Sequence, residues 1–306
     1  MLKNTLTWTV KNEFHGRKIS LNSQDSKIQL FMKTAIIARQ LLIALVAGLC
    51  FLVLVTQTQA APKKVLVVTV TKGFRHSSIP TAEKILAELA QKSGDFTVDY
   101  VRTDAEMAEK MTLAALKNYD GVIFANTTGV LPLPDKQAFL DWIKSGKAFI
   151  GMHSASDTFH GPDGTVDPYI EMIGSEFKQH NAQAEVDCIN QDPKHPADKS
   201  LPPSWHLKDE IYLMKNFERS KVHGLLTLDK HPNEKTPGDY PIAWCKEYGK
   251  GRVFYTSLGH REDVWDPNTA PNFKRENSKE VSELYQKHIL GGIRWALGLE
   301  KGSARP

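Results

Sequence analysis

The sequence predicts an α/β protein: a parallel β-sheet flanked by helices, with an irregular β-containing elaboration in its second half. Three observations carry that prediction. KVLVVTVT (64–71), YDGVIFAN (119–126) and KAFIGMH (147–153) are nearly continuous apolar runs, the pattern of strands buried on both faces. Between them lie segments whose apolar residues recur at helical spacing, and this alternation implies right-handed crossovers between parallel neighbours. From about 155 to 245 the rhythm breaks into a stretch rich in Asp, Pro, His and Gly.

The elements follow in order. After the first strand, a glycine-containing loop leads to a helix over 80–91, with Ile85, Leu86, Leu89 and Ala90 on one face. FTVDYV (96–101) is the second strand, and a short helix around 112–117 precedes the third. Pro134 and Asp135 open a helix in which Phe139, Leu140 and Ile143 recur at helical spacing, and Gly146 ends it before the fourth strand. The middle offers short strand candidates at 184–189, 210–214, 222–228 and 241–245. No flexible linker flanks it, so it elaborates the sheet rather than forming a second domain. GRVFYTSLGH (251–260) restores a buried strand. A closing helix over 278–297 turns Val281, Leu284, His288, Ile289 and Ile293 inward. Principal strands at 64–71, 96–101, 119–125, 147–152 and 251–257 give a flavodoxin-like order 2-1-3-4-5. In such sheets ligands bind beyond the carboxyl ends of the strands.

The N-terminus reads differently. LLIALVAGLCFLVLV (41–55) is shorter than the roughly 20 residues of a membrane-spanning helix and suits the apolar core of a secretory signal. Met32, Lys33 and Arg39 supply a start and positive charge, and Thr58-Gln59-Ala60 supplies small residues for cleavage after Ala60. The expected organisation is a non-authentic extension over 1–31, a signal peptide over 32–60 and one domain over 61–300, secreted or periplasmic. An uncleaved anchor with a cytoplasmic tail is the alternative.

Residues 1–60 hold seven of the 39 basic and two of the 35 acidic side chains, which leaves 32 basic against 33 acidic in the rest. A near-neutral domain gives no electrostatic basis for binding nucleic acid or, once the signal is removed, a membrane. Past residue 60 the cysteines are Cys188 and Cys245; with no CxxC, a cysteine zinc site is excluded. Both lie in apolar strand-like runs, and whether they bond to each other is open.

Three histidines follow the carboxyl ends of expected core strands: His76, His153 and His260. They are expected to share a pocket. GMHSASD has the form of a strand-to-helix turn, with Gly151 before the exposed position and small Ser154 and Ala155 after it. The residue presented there is His153, so thiolate chemistry is absent, and Ser154 stands one place late for a nucleophile. Glu262, two residues beyond His260, would orient that imidazole and raise its basicity, or simply cap a helix.

TKGFRHSSI (71–79), NTTG (126–129), GMHSASDTF (151–159), GSEFKQH (174–180), HP (195–196), LKDEIY (207–212), PIAW (241–244) and YGKGRVFYTSLGH (248–260) succeed one another as in ThuA-like (trehalose-utilisation) proteins, which this chain resembles from about 64 to 298. The resemblance implies a class I glutamine amidotransferase-like fold. His153 then occupies the elbow of the amidotransferase cysteine, and His260 and Glu262 match its histidine and glutamate. Without that cysteine, glutamine hydrolysis through a thioester is excluded. The resemblance also implies pocket roles for His76, Asp157, His180, Asp209 and Glu210.

The residues themselves add detail. Asp157 lies one helical turn beyond His153 and shares its face. Asp209 and Glu210 open an expected strand, where alternation sends only one of them to the site, and Glu210 is favoured. Trp244 either offers a flat face to a sugar or packs in the core. The expected catalytic set is therefore His153, His260 and Glu262, with His76, Asp157, His180, Glu210 and Trp244 binding substrate. His76, His153, His180, His260 and Glu210 would also suffice for Zn²⁺ or a similar ion, although no HxH or HExxH spacing fixes one, so the cofactor is open.

Two functions compete. One is a hydrolase or related enzyme acting on a glycoside or keto-sugar, with a small carbohydrate as partner. The other is a non-catalytic carbohydrate-binding or partner protein on the same fold. A two-carboxylate glycosidase is less natural for a pocket richer in imidazole than in paired acids.

Overall fold

The computed structural model describes residues 23–53, 61–162 and 164–306. It divides into two units at Ala60/Ala61. In the first, helix α1 (Ser23–Val53) includes a stretch over Ser26–Leu45 long and apolar enough to cross a membrane. The expected cleavage motif at 58–60 and most of the expected 1–31 extension lie outside the described residues.

In the second unit the chain runs β1 (Lys63–Val68), α2 (Ile79–Ser93), β2 (Phe96–Val101), α3 (Asp104–Lys110), α4 (Leu113–Leu116), β3 (Gly121–Ala125), α5 (Lys136–Lys144), β4 (Ala148–Met152), α6 (Pro168–Ile173) and β5 (Glu176–His180). It continues through β6 (Ala184–Asn190), β7 (Ser204–Asp209), β8 (Tyr212–Lys215), β9 (His223–Lys230), β10 (Pro237–Tyr248), β11 (Gly251–Thr256), α7 (Glu262–Trp265) and α8 (Lys279–Ala296).

The main sheet has the order β2-β1-β3-β4-β11-β10-β9-β6-β7. Its first five strands are mutually parallel and reproduce the expected 2-1-3-4-5 arrangement. The elaboration adds four antiparallel strands to the same sheet, while β5 and β8 pair as a separate ribbon. Apolar runs occupy the centre because each residue of β4 meets a core. Ala148, Ile150 and Met152 face one cluster, with Leu86 of α2 and Ile289 of α8. Phe149 faces the other, with Phe139 of α5 and Tyr169 of α6. Burying a side chain such as Ile150, Met152 or Phe149 contributes about 1.5–3 kcal/mol. In α8, Leu284 is only partly buried, unlike Val281, His288, Ile289 and Ile293. Cys188 and Cys245 are free, buried thiols on strands that β9 separates.

Several local departures bear on function. The expected strand over 210–214 is borne out from Tyr212, where β8 begins, but residues 210–211 form a break after β7 ends at Asp209. There the chain leaves the large sheet for the ribbon. Gly151 is required by close approach, since a Cβ would stand 2.9 Å from Ile173 and 3.0 Å from Tyr255. Gly259 combines a φ of +119° with a site where a Cβ would meet the Tyr285 hydroxyl at 2.8 Å.

The loop after β11 is held by buried ionic contacts. Arg261 grips Asp263 with Nε and Nη2 at 2.9 and 3.1 Å, and the same carboxylate accepts from the backbone N–H groups of Glu276 and Asn277. Burial pushes Asp263 upward, but these hydrogen bonds outweigh it and hold the acid at about 2. Removing one partner of a buried pair costs about 3–5 kcal/mol. Asp263→Ala is therefore expected to lose about 3 kcal/mol in denaturant unfolding at neutral pH. A carboxylate with a depressed native pKa stabilises above its unfolded pKa, so the gap between wild type and variant should shrink as pH falls from about 4 to about 2. A gap that does not change over that range would contradict the assignment.

Candidate functional site

The site forms where β1, β4 and β11 end. Strand β4 stops at Met152, and His153 adopts a left-handed φ of 47° before a 3₁₀ turn over His153–Asp157. Such a conformation is strained for a non-glycine residue and persists only when its surroundings fix it. Here Tyr255 Oη donates to the His153 carbonyl at 2.7 Å, and the His153 ring is completely buried. His153 Nδ1 lies 2.8 Å from the Ser257 carbonyl. A carbonyl only accepts, so Nδ1 carries the hydrogen and Nε2 turns its lone pair toward the other histidines.

His76 reaches in from the loop after β1, with its Nε2 3.1 Å from His153 Nε2 and its Nδ1 3.4 Å from Ser154 Oγ. His260 arrives from the loop after β11, its ring centre 5.2 Å from that of His76 and 5.3 Å from that of His153. The structure thus brings all three together. Burial, then repulsion from His260, lowers the pKa of His76 to about 4, and burial likewise holds His153 well below the usual imidazole range. His260 moves the other way: burial opposes its charge, but Glu210 and Asp209 raise its pKa overall.

Glu210 completes the group from the break between β7 and β8. Its Oε2 stands 3.1 Å from His260 Nδ1 and 3.7 Å from His153 Nε2, and its Oε1 lies 3.2 Å from His180 Nδ1. Asp209 turns away to accept from Gly259 N at 2.7 Å and Arg261 N at 3.1 Å, fixing the loop that carries His260. One acid therefore faces the site and its neighbour supports it. The alternation that separates them falls at a strand end rather than a strand start.

A cavity of about 220 Å³ opens in front of His76, Glu210 and His260. Asp157 and His180 line its open side, and Phe74, Phe177 and Tyr212 supply aromatic walls. Tyr212 also covers His153, ring centres 4.4 Å apart. Asp157 is paired with His160 at 2.8 Å, and the other His160 nitrogen lies 2.6 Å from Glu176. Hydrogen bonding to Asp157 leads the causes that raise the His160 pKa to about 9.

Two expected roles are corrected. Glu262 is not the hydrogen-bonding partner of His260, although its charge adds to the rise in the His260 pKa: it opens α7, accepts from Ser77 Oγ at 2.5 Å and borders a neighbouring cleft. Glu210 takes that place. Trp244 is not a sugar platform, because it is fully buried in β10, packs on Tyr255 at 4.4 Å and donates from Nε1 to the Ile173 carbonyl. Reading by spacing missed Tyr212, Phe177, Phe74 and His160. The first three lie inside the LKDEIY, GSEFKQH and TKGFRHSSI segments. His76, His153, His260 and Glu210 each offer one ligand atom, all within 4.8 Å of one another, and so could hold a metal ion.

Among solved structures, the chain is similar to a putative ThuA-like protein from Parabacteroides merdae. The TM-score is 0.58 at 20% identity, covering 80% of this chain and 93% of that one. A putative ThuA-like protein from Bacteroides uniformis gives a TM-score of 0.58 at 20% identity, over 82% and 98% of the two chains. At that identity they establish the fold. Among curated proteins, none matches this chain. The family model described as ThuA, trehalose utilisation, matches residues 64–296, and with that span covering most of its length the chain belongs to the ThuA family.

Proposed function

We propose that the chain is an enzyme that processes a small carbohydrate, a glycoside or keto-sugar, by hydrolysis or a closely related reaction. Family membership supports a sugar-related role. The single observation that carries the catalytic part is the meeting of three imidazoles and Glu210, from four separate loops, at the inner wall of one small cavity. Sugar binding alone calls for aromatic faces and neutral hydrogen-bonding groups. A buried cluster of titratable rings is the equipment of proton and electron-pair chemistry.

The cavity divides by role. Phe74, two-thirds exposed, stands at the mouth, and Phe177 and Tyr212 offer apolar faces to the carbons of a sugar ring. Asp157 and His180 on the open side bind hydroxyls. The reacting carbon and its oxygen face His76, His260 and Glu210, with His153 behind them. Ser154 plays no nucleophilic part in this scheme, since it is completely buried and does not line the cavity.

We also propose that the protein is exported. The apolar α1 helix supports this, as does the division between the two units at Ala60/Ala61, where small residues suit a signal peptidase.

Disaccharides and their 3-keto derivatives are the substrates to assay. His153→Ala and His260→Ala should each reduce kcat/KM by about 100-fold or more, the usual scale for removing an acid–base group. Folded variants that keep the full rate would exclude a catalytic role. Tyr212→Ala is expected to raise KM about 3- to 10-fold, the scale of a lost aromatic contact; an unchanged KM would remove the stacking wall. Mass spectrometry of protein recovered from the producing cells should find Ala61 at the N-terminus, and an intact α1 would contradict cleavage.

A further inference from the structure

We propose that His76, His153, His260 and Glu210 hold one divalent metal ion of the zinc class, with its free coordination position facing the cavity. This rests on the sugar-processing reading only in taking the cavity as the substrate side.

Geometry makes the case first. Ligands about 2.0–2.1 Å from one ion stand about 2.8–3.4 Å from each other at octahedral or tetrahedral angles. His76 Nε2 and His153 Nε2 are 3.1 Å apart, as are His260 Nδ1 and Glu210 Oε2, and Glu210 Oε2 is 3.7 Å from His153 Nε2. Three of the six separations thus already lie at or near the edges of a coordination polyhedron, and all four donor atoms, from four loops, lie within 4.8 Å of one another.

The hydrogen bonding points the same way. His153 spends its Nδ1–H on the Ser257 carbonyl, which fixes the tautomer and aims a lone pair inward. Metal-ligating histidines commonly donate their second nitrogen to a backbone carbonyl in this manner. His260 Nδ1 is buried without an aligned hydrogen-bond partner, although Glu210 lies beside it.

Charge adds an independent reason. Glu210 is 7% exposed, and among the described residues it meets only His153, His180 and His260, with no Lys or Arg at ion-pair distance. A carboxylate buried among imidazoles, with no permanently charged side chain beside it, is costly unless a cation accompanies it. A divalent ion at the centre would supply that charge. Three imidazole nitrogens and one carboxylate oxygen select zinc or a neighbouring transition metal over magnesium or calcium, which prefer all-oxygen sites. Facing the cavity, such an ion would polarise a sugar oxygen or a bound water.

The test uses untagged protein dialysed without chelator, then stripped and titrated with zinc chloride. About one zinc per chain by mass spectrometry is expected, with calorimetric binding weakened at least about 100-fold in Glu210→Gln. Substitution with cobalt should give the visible absorption of a low-symmetry nitrogen–oxygen site, and Glu210→Gln should alter it. If the folded wild type takes up neither metal at this site, the proposal is wrong. Turnover that survives complete metal removal would also overturn it while leaving the sugar reading intact. One bound zinc with no turnover of any sugar would sustain the metal site and sink the sugar reading instead.

Discussion

The parallel pairing of β4 with β11, Met152 opposite Thr256, decides where the chemistry can be. Because the strands end level, His153 and Ser257 emerge side by side, and the imidazole Nδ1 bonds the Ser257 carbonyl as though the ladder went on one step further. That bond sets the tautomer, and the tautomer sets the direction of the inner lone pair. The pairing of β3 with β4 then brings Asn126 beside the same edge, and its side chain holds the Gly259 carbonyl at 3.0 Å. The site is thus an extension of the sheet rather than an addition to its surface.

The supporting contacts explain why so much charge lies behind so small a cavity. Asp209 fixes the loop of His260 through two backbone N–H groups, and Arg261 on that loop is fixed in turn by Asp263. Burial raises the Asp209 pKa to about 6 despite those hydrogen bonds, a cost the fold sustains to position its neighbour's partner. On the opposite side, His160 clamps Asp157 to Glu176. His260 and Asp157 thus each have a second group holding them, which is the arrangement that keeps reacting atoms in place.

Much of this was legible in the sequence. The β-branched runs announce the five parallel strands, and the rule that ligands bind at the carboxyl edge picks out His76, His153 and His260 from eleven histidines. What escaped has physical reasons. Helix α3 buries only Met107, too little to make an apolar stripe, and β7 carries an acid, Asp209, at an inward position. Nearness in sequence and the amidotransferase resemblance both point to Glu262 as the partner of His260. The actual neighbour, Glu210, is fifty positions away, and only the folded chain brings it close. The resemblance implies a pocket role for Glu210, and strand alternation favours it over Asp209, but neither pairs it with His260. Trp244 shows the converse: a strand tryptophan reads the same whether it faces a sugar or a core, and here Tyr255 and Phe217 cover it.

The orientation of one ring is therefore the quantity to measure. Nitrogen NMR of protein labelled at histidine reports which ring nitrogen of His153 bears hydrogen. A protonated, slowly exchanging Nδ1 with a hydrogen-free Nε2 is expected, with or without metal. An Nε2–H tautomer, or a His153 ring that exchanges freely with solvent, would show that the lone pair does not face the cluster and that the proposed centre does not form.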